Sequence, residues 1–174
     1  MNVFKNYLHK GIVLTTLCAV IIFCLGVWGY CQQTVLKIFS WKTGEVILTS
    51  SVAAGDKIDV FWTHSLEKIP WNEYYTLRED GVLVLDTITF PAFGAGIPAN
   101  KGRCRIGDDG LIYMENINQE FKYFKWLNSK FTREIRVNGK LIVRGTELPN
   151  HQVLILRVER RGLPWQTVKN SRKL

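Results

Sequence analysis

Histidine and cysteine are scarce, three and four residues of 174, and no two cysteines stand in a CxxC pair, so the chain carries no zinc-ribbon signal. Internal repeats and low-complexity tracts are absent as well. With 47% apolar residues the composition is not that of a disordered or collagen-like chain, and the length suits one globular domain plus an accessory segment. Acidic residues are missing from the whole stretch before Gln32.

What that stretch holds instead is an apolar run. Residues 11 to 30, GIVLTTLCAVIIFCLGVWGY, contain no charge. About 20 such residues match the hydrocarbon thickness of a bilayer when helical. Lys5, His9 and Lys10 precede the run, which predicts a cytoplasmic segment 1–10, a transmembrane anchor 11–30 and an exported domain 31–174. A cleaved signal peptide is the alternative, with Val27 and Gly29 at the cleavage positions. The length of the run and the bulky Trp28 and Tyr30 favour an uncleaved anchor in an inner membrane, passing once. Cys18 and Cys24 fall inside it as small apolar residues. Cys31 and Cys104 lie outside and are open to a disulfide or to two free thiols.

Formal charge is +8, of which Lys5 and Lys10 supply two, leaving +6 from Gln32 onward. Nucleic acid, an anionic membrane surface or an acidic partner all suit such an excess. Beside a membrane anchor a solvated face next to phospholipid is the simpler reading, and no nucleic-acid role is expected.

After the anchor the pattern changes to short segments of period two. VLKIFS (35–40) and EVILTS (45–50) flank WKTG as a hairpin. IDVFWTHS (58–65), NEYYTLRE (72–79) and VLVLDTITF (82–90) follow, the last two joined at Asp80-Gly81. LIYMENI (111–117) is weaker, and FKYFKWL (121–127) reads equally as a strand or a short helix. Asn138-Gly139 joins TREIRV to KLIVRG with a strong two-residue hairpin signal, and QVLILRVER (152–160) closes the domain. About nine strands predict an all-β fold, an antiparallel sandwich or barrel. One long connection, residues 91 to 110, interrupts them; its Gly94 and Gly96 allow a backbone nest for an anion.

The stretch WTHSLEKIPWNEYY (62–75) gathers most of the chemistry. If SLEKIPWN closes a symmetric hairpin, His64 lies opposite Glu73, Trp62 opposite Tyr75 and Val60 opposite Leu77, all on the apolar-rich face. A carboxylate on that face needs a partner, which predicts a His64–Glu73 hydrogen bond. The pair reads as a structural pin, or as part of a binding site with Glu67 and Lys68 at the loop mouth. A metal site from His64, Glu67 and Glu73 is a further alternative without a ligand signature, so the metal is unknown. A Ser65–His64 dyad is disfavoured because adjacent strand residues point to opposite faces; Ser65 reads as a turn cap and His151 as a loop residue.

T-H-S-L-E-K-I-P-W-N-E, followed some twenty residues later by F-G-A-G-I-P, resembles a domain-of-unknown-function family of small exported proteins. Its pattern is His-Ser, Glu, Pro-x-x-Glu, then Gly-Ala-Gly-x-Pro. The resemblance covers roughly residues 35 to 115 and places His64, Ser65, Glu67, Pro70, Glu73, Gly94, Gly96 and Pro98 on that pattern. Leu66 and Trp71 are bulkier than the valines usual at those places. Family members often lie beside genes for TAXI-type TRAP transporters, which import organic acids using an exported binding protein. The resemblance therefore implies a bacterial envelope protein, an accessory to the membrane or binding subunits of such a transporter, with no established reaction and no cofactor. The expected ligand-binding residues are His64, Ser65, Glu67, Lys68, Glu73, Gly94 and Gly96. The alternative is an envelope hydrolase or metal-dependent enzyme using His64 with Glu67 or Glu73.

Overall fold

The structure is a computed structural model that describes residues 14–27, 33–97 and 101–160. Residues 14–27 form a helix, α1, whose Leu14, Leu17, Val20, Ile22, Phe23 and Leu25 are all exposed. Among the described residues no helix is long and apolar enough to cross a membrane. The remainder of the expected anchor, residues 11–13 and 28–30, lies outside the described residues, as does Cys31. Cys104 is an exposed free thiol.

The domain is built from twelve strands: β1 (Thr34–Ser40), β2 (Val46–Val52), β3 (Lys57–Thr63), β4 (Pro70–Leu77), β5 (Leu83–Phe90), β6 (Arg103–Ile106), β7 (Ile112–Glu115), β8 (Gln119–Phe121), β9 (Phe124–Leu127), β10 (Thr132–Val137), β11 (Lys140–Arg144) and β12 (Val153–Arg160). A short 3₁₀ turn, Gly145–Glu147, precedes β12. They make two antiparallel sheets. The small one has the order β2-β1-β12-β9, and the large one β11-β10-β3-β4-β5-β7-β6, with β8 also paired to β5. The arrangement is a sandwich. Leu36, Ile38, Leu154 and Leu156 of the small sheet join Ile58, Leu77, Leu83, Phe90 and Met114 of the large one in a single buried cluster. Burying one such side chain is worth roughly 1.5–3 kcal/mol, so this shared core is what holds the two sheets together.

Local chemistry accounts for several joints. Asn138 and Gly139 adopt φ of +50° and +76°, the type I′ geometry that a two-residue hairpin between twisted strands requires. In β5 the inward set Leu83, Leu85 changes phase to Ile88, Phe90 because Asp86 is an extra residue. Tyr74 pairs with Thr87 and Tyr75 with Leu85, so a bulge lies between them. Arg78 donates to Asp80 at 2.9 and 2.7 Å and to Glu120 at 2.5 Å, tying the β4–β5 turn to β8. The Arg78 guanidinium holds the Asp80 carboxyl down to about 2.

Two expectations change, and one open reading is decided. The connection 91–110 contains a strand, β6, because Arg103–Ile106 pairs with β7 across a turn at Gly107–Gly110. FKYFKWL is extended, not helical: Phe121 pairs with Leu83 in the large sheet, and Phe124–Leu127 pairs with β12 in the small one. The chain crosses between sheets at Lys122 and Tyr123. Finally, β3 and β4 pair in another register, with consequences at the site.

Candidate functional site

The β3–β4 connection is His64–Ile69, closed by the His64 amide donating to the Ile69 carbonyl at 2.8 Å. Trp62 faces Trp71, Val60 faces Glu73 and Thr63 faces Pro70. The expected pairs Trp62–Tyr75, Val60–Leu77 and His64–Glu73 are therefore not formed. Proline lacks an N–H, but at the first position of a strand it costs no ladder bond, so β4 starts at Pro70 and the loop is shorter than the symmetric reading required. The displacement is an even number of residues, so side chains keep their faces. Trp62, Trp71, Glu73 and Tyr75 all remain on the inward side.

Glu73 has three partners, and none of them is His64. Its Oε1 accepts the indole N–H of Trp71 at 3.0 Å. Its Oε2 accepts the indole N–H of Trp62 at 3.0 Å and the hydroxyl of Tyr75 at 2.9 Å. Tyr75 is 2% exposed. Burial first, and the neighbouring Glu73 carboxylate second, push its phenol far above the ordinary value, so it stays a neutral donor. Trp71 also stacks on Phe90, with ring centres 5.3 Å apart and planes 12° from parallel, which fixes its indole N–H on the carboxylate.

His64 is oriented by its own loop. Its Nδ1 accepts the backbone N–H of Glu67 at 3.2 Å, and its ring tilts against Trp71 at 5.8 Å. With Nδ1 accepting, the neutral ring carries its proton on Nε2, and a Cβ built at Gly96 would stand 4.0 Å from that atom. Glu67 ties the loop to the glycine segment, since its Oε1 accepts the Ala95 N–H at 2.8 Å. A side chain at Gly94 would meet the Glu67 carboxyl group at 2.6 to 2.8 Å, so only glycine permits this approach. The anion that the Gly-Ala-Gly backbone holds is thus supplied by the chain itself. Lys68, in the left-handed region with φ +60°, folds back to donate to the Ser65 carbonyl and lies 4.5 Å from the centre of the Phe131 ring.

These elements surround an open cleft of about 600 Å³. His64, Ser65, Glu73 and Gly96 line it, whereas Glu67, Lys68 and Gly94 do not. Sequence reasoning missed Lys101 at the rim, whose ammonium donates to Gln119 at 2.8 Å, and the walls Phe121 and Phe124. Nothing local in the sequence marks Phe121 and Phe124, because β8 and β9 reach the cleft only through the crossing between sheets. Among the described residues no group of three His, Cys, Asp or Glu could hold a metal ion.

Fold and cleft together define an antiparallel β-sandwich whose His64 loop and glycine segment meet at one aromatic-walled opening. Residues 58–161 match the family described as Domain of unknown function (DUF1850), and the chain belongs to it. Neither a curated protein nor a solved structure matches the chain.

Proposed function

We propose that the chain is a membrane-anchored, extracytoplasmic binding domain that serves a TRAP-type transport system in a bacterial envelope, taking a ligand or a segment of a transporter subunit at the His64 cleft. The observation that carries this reading is the convergence of the two motif loops, joined by the Glu67–Ala95 bond, around one solvent-open cleft. Loops fixed to each other from far apart in sequence around an opening are how rigid scaffolds present binding residues. The anchor is supported by α1: exposed leucine, isoleucine and phenylalanine side chains on every face favour a non-aqueous cover, and the adjoining sequence extends the charge-free run to residues 11–30. An enzymatic reading has less support, because the Glu67 carboxylate is bonded to Ala95 and Glu73 to three neutral donors, leaving no carboxylate bonded to His64.

Purification of a tagged full-length chain from native membranes tests this. It should bring down a membrane or binding subunit of a TRAP-type transporter, and Ser65→Trp, which fills the cleft mouth from an exposed loop position, should lose that partner while the chain stays in the membrane fraction. Recovery of equal partner with Ser65→Trp, or of no transporter subunit at all, defeats the reading.

A further inference from the structure

Glu73 carries a charge that its surroundings leave unbalanced. It is half-buried, and its neighbours in the cleft include Leu85, Ile88, Phe121 and Phe124. Two indoles and one phenol hydrogen-bond it, which spreads the charge without cancelling it. Among the described residues no ion pair reaches it, in contrast to Glu115, Glu134 and Glu159, each of which has an arginine or lysine partner. An ion withdrawn from water into apolar surroundings is costly until an opposite charge or a full set of hydrogen bonds meets it. Oε1 accepts only one of these bonds, from Trp71, so it retains acceptor capacity.

The walls favour the same kind of guest. Trp62, Trp71, Phe121 and Phe124 line the cleft. Aromatic faces attract cations, tryptophan most strongly, and more so as the site dries. An anion would meet the Glu73 charge, and a neutral donor would gain one hydrogen bond to Oε1 but no ion pair; the other charged side chain lining the cleft, Lys101, stands at the rim with its ammonium bonded to Gln119 at 2.8 Å. A metal ion is disfavoured by the missing ligand cluster among the described residues. Resting on the reading of this cleft as the binding site, we infer that it takes the ammonium end of a small organic cation, seated on Glu73 between the aromatic walls. The rest of the ligand runs outward past His64, whose Nε2–H is free to donate to an acceptor on it.

The test uses the full-length chain in a non-ionic maltoside detergent, since zwitterionic detergents carry ammonium groups of their own. Indole N–H resonances of Trp62 and Trp71 are followed while tetramethylammonium chloride, its neutral isostere tert-butanol, or sodium acetate is added at constant ionic strength. Tetramethylammonium should shift both resonances saturably, at concentrations where tert-butanol and acetate do not. Glu73→Gln should weaken that response by about tenfold or more. Should that variant misfold, the contrast between tetramethylammonium and tert-butanol on the unaltered chain decides alone. An equal saturable response to tert-butanol or acetate overturns the cation and leaves the cleft as a binding site. Silence of both indoles to all three probes overturns the cation and the cleft together.

Discussion

Two hairpins of the large sheet, β10–β11 and β3–β4, lie on either side of the β10–β3 pairing, and they hold their registers by different means. The first needs only its turn. Asn138 and Gly139 take the two positive φ angles, and the Asn138 side chain accepts the Lys57 N–H and donates to Asp56, each at 2.9 Å. The second has a connection of six residues, His64–Ile69, too long to dictate which residues face each other. Its register rests on side chains: the facing indoles of Trp62 and Trp71 both grip Glu73. A turn of two residues specifies pairing through backbone angles, and a longer one leaves it to whatever polar group the facing strands can share.

The sharpest way to break this comparison is to remove the shared group. Glu73→Leu leaves two indole N–H groups and the Tyr75 hydroxyl without their acceptor, at a cost of about 3 kcal/mol given partial burial. Denaturant unfolding of the full-length chain in detergent should show that loss, whereas Glu73→Gln, which keeps an acceptor oxygen, should lose about 1 kcal/mol. Equal stability of Glu73→Leu and the parent chain would remove Glu73 as the register lock.

The locally specified hairpin should be less sensitive. Gly139→Val forces a β-branched residue to a φ of +76° and should cost about 1–2 kcal/mol in the same measurement. Because β10 is also paired to β3, the fold should survive it. A loss exceeding that of Glu73→Leu would reverse the order argued here.

The smallest effect belongs to the Arg78–Asp80 turn. Asp80 titrates at about 2 in the folded chain and near its ordinary 3.8 when unfolded. Its contribution is therefore complete above about pH 4 and disappears as pH falls through 2. Carboxyl-carbon NMR titration of Asp80 should show the depressed midpoint, and Arg78→Gln should return it toward 3.8. An unchanged midpoint in the variant would show that Arg78 is not the cause.

The same contrast explains what could be read beforehand. The inward face of Val60, Trp62, Glu73 and Tyr75 was legible from period two, and it survived a register error because an even slip preserves faces. Asn138-Gly139 was legible because its turn chemistry is local. The partner of Glu73 was not: a proline inside IPWN reads as a break, yet Pro70 opens a strand and brings Trp71 into line with Trp62. The Asp86 bulge was visible in VLVLDTITF only as a slip in alternation. Lys101, Gln119 and Phe124 left no mark, since each comes to the cleft through pairings made far along the chain.

One pairing in the small sheet reaches beyond packing. Thr34 faces Arg160 at the end of the β1–β12 ladder, so the domain begins and finishes at one spot. A short linker joining those two positions, with the chain reopened at an exposed turn other than Asn138-Gly139, gives a circular permutant that keeps both ladders. The same closure governs the flanks. Six residues separate the end of α1 from Thr34, a reach of at most about 25 Å over seven Cα steps, so whatever holds α1 in place keeps the Thr34–Arg160 end of the domain within that distance.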